Sequence, residues 1–169
     1  RGREIIPLEQ EICHVRSYLD IQKMRYGDRL DYQIRIPEEL KKLYTVKLLI
    51  QPLAENSIYH GIKESDRKGT ILITAGEETG GFYLCVRDDG LGITPETLTI
   101  LNADLKRGVT VSDGGYGIFN VNERIRLYFG RDYGLELRSC AGEWTEAVIH
   151  LPKYIPERTE WDVSDFDRR

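Results

Sequence analysis

Residues 48–62 read LLIQPLAENSIYHGI, and the fold turns on how this stretch is read. Leu49, Leu53, Asn56 and His60 fall at i, i+4, i+7 and i+11, which is one face of a helix. Ile50, Ala54 and Ile58 widen the apolar sector, so the helix is expected to lie on a core. The far end of that face turns polar. An asparagine and a histidine placed there are either satisfied inside the core or look into a pocket. Buried amides usually find protein partners, so the helix taken by itself favours the first reading. Pro52 inside the pattern kinks the helix or marks its true start, and Gly61 ends it.

Working outward, residues 4–26 predict a helix, with Leu8, Ile12, Val15, Leu19 and Tyr26 on one stripe and Pro7 suited to a first turn. It is either a surface helix packed on its own domain or the end of a longer dimerising helix. Residues 30–36 (LDYQIRI) alternate as a strand with one wet face, Pro37 stops it, and 38–44 form a short helical or turn segment. Beyond the central helix come a charged loop at 63–69 and strand 70–75. A turn at Gly80-Gly81 and a hairpin partner at 82–86 follow. That strand runs into Arg87-Asp88-Asp89-Gly90-Leu91-Gly92-Ile93. Thr94-Pro95-Glu96 then caps a helix to about Leu105. Residues 106–115 (KRGVTVSDGG) predict a mobile loop, 116–129 a helix, and 135–140 with 145–151 a last hairpin. The expected architecture is a two-layer α/β sandwich, a mixed, mainly antiparallel sheet with helices on one face.

The bulk numbers bound the function. A chain of 169 residues, 40% hydrophobic and 31% charged, supports one domain with a real core. Its net charge of −4 gives no basic footprint for nucleic acid. Cys13, Cys85 and Cys140 form no CxxC pair, which argues against a zinc site or a disulfide framework and for a reducing compartment. No apolar run approaches a membrane span of roughly 20 residues.

Three separated signals converge: Asn56 on its helix, Asp88-Asp89-Gly90-Leu91-Gly92 at a strand end, and Gly115-Tyr116-Gly117 opening a helix. Each is weak alone; together, in this order and across a loop, they form a pattern. In that pattern the chain resembles the ATP-binding domain shared by gyrase-type topoisomerases, heat-shock chaperones and sensor histidine kinases. PLAENSIYHGI is similar to its asparagine box, DDGLGI to its first glycine box and GGYGIFNVNERI to its second. IPLEQEICHVRSYLDIQKMRYGDRL and GEWTEAVIHLP resemble segments of the LytS and YesM branch of the kinases. The resemblance covers residues 5–152. It divides the chain into the end of a dimerisation and phosphotransfer helix with its linker (1–27), the ATP-binding catalytic domain (28–152) and a C-terminal tail (153–169).

The resemblance implies ATP and Mg²⁺ as cofactors. Asn56 would be the metal ligand, its neutral amide oxygen suiting a hard cation whose other charge comes from the phosphates. Asp88 would accept from the adenine 6-amino group and reject guanine, which offers an acceptor there. Thr145 would support Asp88. Gly90, Gly92 and Ile93 would allow close approach to the nucleotide. Gly115, Tyr116, Gly117 and Ile118 would present backbone N–H groups at a helix N-terminus. Lys106 and Arg107, in the loop that resembles the family's ATP lid, reach the phosphates or are simply solvated. The chain also departs from the pattern. Pro52 stands where many of these kinases carry a second polar residue, and Tyr59 where many carry Lys or Arg. Phosphate contacts then fall to His60 or Lys63. Glu55 would orient a Mg²⁺ water or take a proton from the incoming histidine, so Glu55 and Asn56 are the expected catalytic pair.

The reaction so implied is transfer of the ATP γ-phosphoryl to a histidine on a helix upstream of Arg1, and from there to a response regulator. His14, His60 and His150 lack the flanking residues of an acceptor, so this stretch alone is expected not to phosphorylate itself. The whole protein would be a homodimer through the upstream helices, with this part the cytoplasmic domain of a membrane-anchored bacterial protein. Two alternatives share the same boxes. One is an anti-sigma serine kinase or ATPase on the same fold; the other is a non-catalytic nucleotide-binding scaffold.

Overall fold

The computed structural model describes residues 4–63, 67–109 and 117–154. In chain order the elements are β1 (Ile5–Pro7), α1 (Leu8–Tyr26), β2 (Leu30–Arg35), α2 (Glu38–Lys41), β3 (Tyr44–Val46), α3 (Ile50–Asn56), β4 (Gly69–Glu78), β5 (Gly81–Asp88), α4 (Pro95–Arg107), α5 (Gly117–Phe129), β6 (Gly134–Cys140) and β7 (Trp144–Leu151). A π-helical segment, Ser57–Ile62, continues α3. The five-stranded sheet runs β2-β4-β5-β7-β6, with β2 parallel to β4 and every other pair antiparallel. β1 and β3 pair separately.

Strand alternation decides where the core lies. On β4, Ile71, Ile73 and Ala75 are buried while Leu72 and Thr74 between them are half-buried. The helices cover the face carrying Ile71, Phe82, Leu84, Leu137 and Ile149. This is the expected two-layer sandwich. α1 lies against α3 and fully buries Leu8, Val15 and Leu19. Each such side chain stabilises the packing by roughly 1.5–3 kcal/mol. Ile21 and Met24, beyond that stripe, are exposed.

The structure corrects several local expectations. Pro7 does not open the α1 helix from inside but precedes it, because residues 5–7 are drawn into a ladder with β3. That ladder, Ile5↔Val46 to Pro7↔Tyr44, needs a partner far along the chain, so it left no local signal. Pro52 marks a start and not a kink: it is the third residue of α3, where its missing N–H would have had no helical partner anyway. The central helix widens after Asn56, where the Lys63 N–H donates to the Ile58 carbonyl at 2.8 Å, an i→i−5 bond. Lys106 and Arg107 are the last residues of α4, not of the following loop. Thr94 caps α4 as expected, its hydroxyl accepting from the Thr97 N–H at 3.4 Å, with Pro95 next.

One buried amide joins three elements. Asn122 on α5 is 3% exposed. Its Nδ2 donates to the Leu105 carbonyl at 2.9 Å and its Oδ1 accepts from the Leu135 N–H at 2.9 Å. It thereby ties α5 to the end of α4 and the start of β6. Asn122→Ala strands the Leu135 N–H away from water, while the Leu105 carbonyl keeps the Arg126 guanidinium and the Gly108 N–H as donors, and should cost about 2 kcal/mol. Urea unfolding will show it as a lowered midpoint at unchanged slope; a loss below about 1 kcal/mol would mean that the Leu135 N–H finds another partner.

Candidate functional site

A cavity of about 370 Å³ opens between the sheet and α3, α4 and α5. Its size is that of a small-molecule site. Val86, Leu137 and Ala147 from three strands, with Leu53, Leu101 and Ile118 from three helices, make it mostly apolar. Polar side chains reach it from separate places: Asn56, Ser57 and His60 where α3 passes into its π-helical continuation, Asp88 at the end of β5, Thr94 and Thr97 at the start of α4, and Thr145 on β7. Asp88 and Thr145 are cross-strand partners in the β5–β7 ladder. Thr145 is steadied by Ser139, whose Oγ lies 3.2 Å from the Thr145 hydroxyl and accepts from the Ile93 N–H at 2.7 Å.

Asp88 is 4% exposed and sparsely bonded. Its Oδ1 accepts from the Gly90 N–H at 3.0 Å, and the Ser57 hydroxyl donates to the carboxylate. Burial outweighs both and pushes its pKa up to about 6. An ionised carboxylate has about four acceptor positions, so a cavity-lining group with this few donors retains capacity for a ligand N–H.

Backbone contact makes room for it. A Cβ on Gly61 would stand 2.5 Å from Asp88 Oδ1, and one on Gly90 would stand 2.3 Å from the Gly61 Cα. Both positions must therefore be glycine for the π-helical segment to lie on the end of β5. Gly92, at φ +66°, turns the chain beneath the Cys140 carbonyl, which a Cβ would meet at 2.1 Å. Gly117, the first residue of α5, faces α3: a Cβ there would be 3.3 Å from Pro52 Cβ and 3.7 Å from Asn56 Nδ2.

The structure thus brings together Asn56, His60, Asp88, Gly92, Ile93, Ile118 and Thr145 around one cavity, with Gly90 supporting its base and Gly117 beside Asn56. His60 is exposed at the rim, edge-on to Tyr59. Four other expected residues stand outside the lining. Glu55 is exposed and accepts from Gln51 Nε2 at 3.0 Å. The Lys63 ammonium sits 4.8 Å from the Tyr59 ring centroid. Lys106 is exposed at the end of α4, and Arg107 pairs with Asp104 one turn back. Gly115 and Tyr116 lie outside the described residues. Sequence reasoning missed Ser57, which donates to Asp88, and took Gly61 for a helix terminator. The signal available for Gly61 was a glycine one turn after Asn56 and inside the apolar run.

Comparison with known proteins agrees with this geometry. The profile of the family described as histidine kinase-, DNA gyrase B-, and HSP90-like ATPase matches residues 43–155, and that of a family described as histidine kinase matches residues 1–30. The chain is 34% identical over 150 residues to the sensor histidine kinase YesM of Bacillus subtilis, covering 89% of this chain and 24% of that protein. It is 31% identical over 157 residues to the sensor protein LytS of Bacillus anthracis, covering 92% and 26%. The chain therefore spans about a quarter of the length of these curated relatives. Among solved structures it is similar to the catalytic domain of the histidine kinase ThkA, with a TM-score of 0.65 at 14% identity, covering 90% of this chain and 97% of that one. It is also similar to the histidine kinase AdeS of Acinetobacter baumannii, with a TM-score of 0.62 at 16% identity, covering 92% and 70%.

The raised pKa of Asp88 carries a stability consequence. The folded state prefers the neutral acid, so the contribution is full below the ordinary value of 3.8 and is lost as pH rises through about 6. In the absence of ligand, Asp88→Asn should therefore be more stable than wild type at pH 7, by on the order of 2 kcal/mol, with the gap closing near pH 4. Denaturant midpoints of both proteins across this range check it, and two parallel profiles would contradict it.

Proposed function

Because the chain belongs to the histidine kinase-, DNA gyrase B- and HSP90-like ATPase family, we propose that it is the ATP-binding catalytic domain of a two-component sensor histidine kinase. The observation that carries this reading is the sparsely bonded Asp88 carboxylate in an apolar cavity, beside Thr145 and across from Asn56.

The residues fit the nucleotide and the cation. Asp88 accepts from the adenine 6-amino group, Thr145 holds that carboxylate in line, and the apolar walls exclude competing water. Among the described residues no three His, Cys, Asp or Glu side chains cluster to hold a metal ion, which suits a cation that enters with the triphosphate and meets the Asn56 amide oxygen. When bound, Mg²⁺ supplies charge neutralisation at the phosphates. Gly117 and Ile118 offer backbone N–H groups at the start of α5; the second glycine box that they share with Gly115 and Tyr116 is assigned to the phosphates. His60 at the rim contacts the phosphates when ATP is bound, and Lys63, Lys106 and Arg107, which stand outside the lining, are further candidates for that contact. Glu55, exposed one residue before Asn56, takes the proton from the incoming histidine.

The acceptor histidine lies on a helix upstream of α1, and the phosphoryl group passes from it to the receiver domain of a response regulator. The whole protein is a homodimer through those upstream helices and is anchored at a bacterial membrane, with this domain on the cytoplasmic side. Residues 1–27 end the phosphotransfer helix and its linker, 28–152 form the catalytic domain, and 153–169 form a tail. The match of residues 1–30 to a histidine kinase family supports this reading over a serine kinase or ATPase on the same fold.

Calorimetric titration of the chain with ATP tests the proposal. ATP should bind in the presence of Mg²⁺ and GTP should not. Asp88→Asn should weaken ATP binding by about 2 kcal/mol through the lost adenine contact, and Asn56→Ala should abolish the Mg²⁺ dependence. Equal binding of ATP and GTP, or no binding of either at millimolar concentration, would refute it.

A further inference from the structure

A second buried carboxylate lies away from the cavity. Glu11, on α1, is 1% exposed. Its Oε2 accepts from the Leu48 N–H at 2.9 Å, and its Oε1 accepts from the Leu49 N–H at 2.7 Å and the Ile50 N–H at 2.9 Å. These are the donors at the entry to α3, where a negative charge also meets the positive end of the helix dipole. Pro52, at the third position, supplies no N–H, so the cap falls on the residues before it.

The junction is held from several sides. Leu48 has φ +60°, the one positive φ among the described non-glycine residues, and side chains with a Cβ keep that conformation only when their surroundings hold it. The Arg124 guanidinium on α5 donates to the Lys47 carbonyl at 2.9 Å. The Lys47 N–H donates to the Glu4 carbonyl at 2.9 Å, just before β1. Farther along α1, Tyr18 packs partly buried against the core, and burial with the nearby Glu55 carboxylate pushes its phenol up to about 12. α1 therefore grips α3 at its first residue and packs against it beyond that point.

α3 is seven residues long, so Asn56 sits about 9 Å along a straight helix from the Glu11 contact. A tilt at Ile50 moves Asn56 directly. Asp88 and Thr145 belong to the sheet instead, and Gly61 is pinned to the sheet at Gly90. The adenine end of the cavity keeps its walls when α3 tilts; the phosphate end does not.

We propose that Glu11 is a positioning residue for the phosphate end of the nucleotide site: its grip on residues 48–50 sets the tilt of α3, so the seating of α1 governs affinity for Mg²⁺–ATP. The inference rests on the nucleotide-binding reading given above. α1 falls within the stretch that matches a histidine kinase family, so a displacement of this helix would be felt first at Asn56.

The test compares two ligands by calorimetry on the 169-residue chain: ATP with Mg²⁺, and adenosine, which has neither phosphate nor metal. In Glu11→Gln the amide oxygen can still accept from Leu49 and Ile50, but its NH₂ faces the Leu48 N–H, donor against donor. Affinity for Mg²⁺–ATP should fall about tenfold or more while adenosine affinity stays within about twofold, since misplacing one contact group by an ångström has effects of this size. Glu11→Asp, one methylene shorter but still an anion, should show the same split at smaller amplitude. Equal losses for both ligands, no loss for either, or two variants that circular dichroism finds unfolded would assign Glu11 to folding alone and overturn the inference. Failure of the wild-type chain to bind Mg²⁺–ATP would instead overturn the functional reading on which it rests.

Discussion

Among the described residues two carboxylates are buried, and the difference between them organises the domain. Glu11 accepts three backbone N–H groups at a helix entry, which is how a charge is made tolerable away from water. Asp88 accepts one backbone N–H and one hydroxyl and lines an apolar cavity. Its ionised form is therefore costly in the unliganded domain. A fold under selection for stability alone would replace such a group with an apolar one. Retaining it makes sense when a ligand completes its bonding, and the rest of the cavity is arranged around that unfilled capacity.

The cavity depends on close backbone approach. Gly61 lies on Gly90 with no room for a side chain on either, and this contact sets the π-helical segment against the end of β5. The widened turn follows Asn56, so the residues before it continue a straight helix anchored by Glu11 while those after it lie on the sheet. Gly117 then brings the start of α5 against Pro52 and Asn56. Three stretches spread along the chain from Asn56 to Gly117 meet because two glycine contacts allow it.

Much of this was legible in the sequence because it is written locally. The spacing of Leu49, Leu53 and Asn56, the alternation on β4 and the Thr94-Pro95 cap each depend on neighbours within a few residues. Asn56, Asp88 and Thr145 were found because they stand in ordered motifs, and the cavity unites them. What could not be read depends on distant partners. The β1–β3 ladder joins residues about forty apart. Glu11 sits three residues after Leu8 and four before Val15, inside the buried stripe of α1, so its burial was readable, but its partners at Leu48 to Ile50 were not. The π-helical turn has no compositional signature and follows from the fit of Gly61 on the sheet.

The most direct test of the account follows backbone amide resonances of the labelled chain as ATP and Mg²⁺ are added. The account predicts that the amides of Ser57, Gly61, Gly90 and Thr145, around Asp88, shift together and saturably, while those of Tyr83, Val148 and His150 on the opposite face of the sheet stay in place. Shifts confined to that opposite face, or a spectrum unchanged by nucleotide, would contradict it.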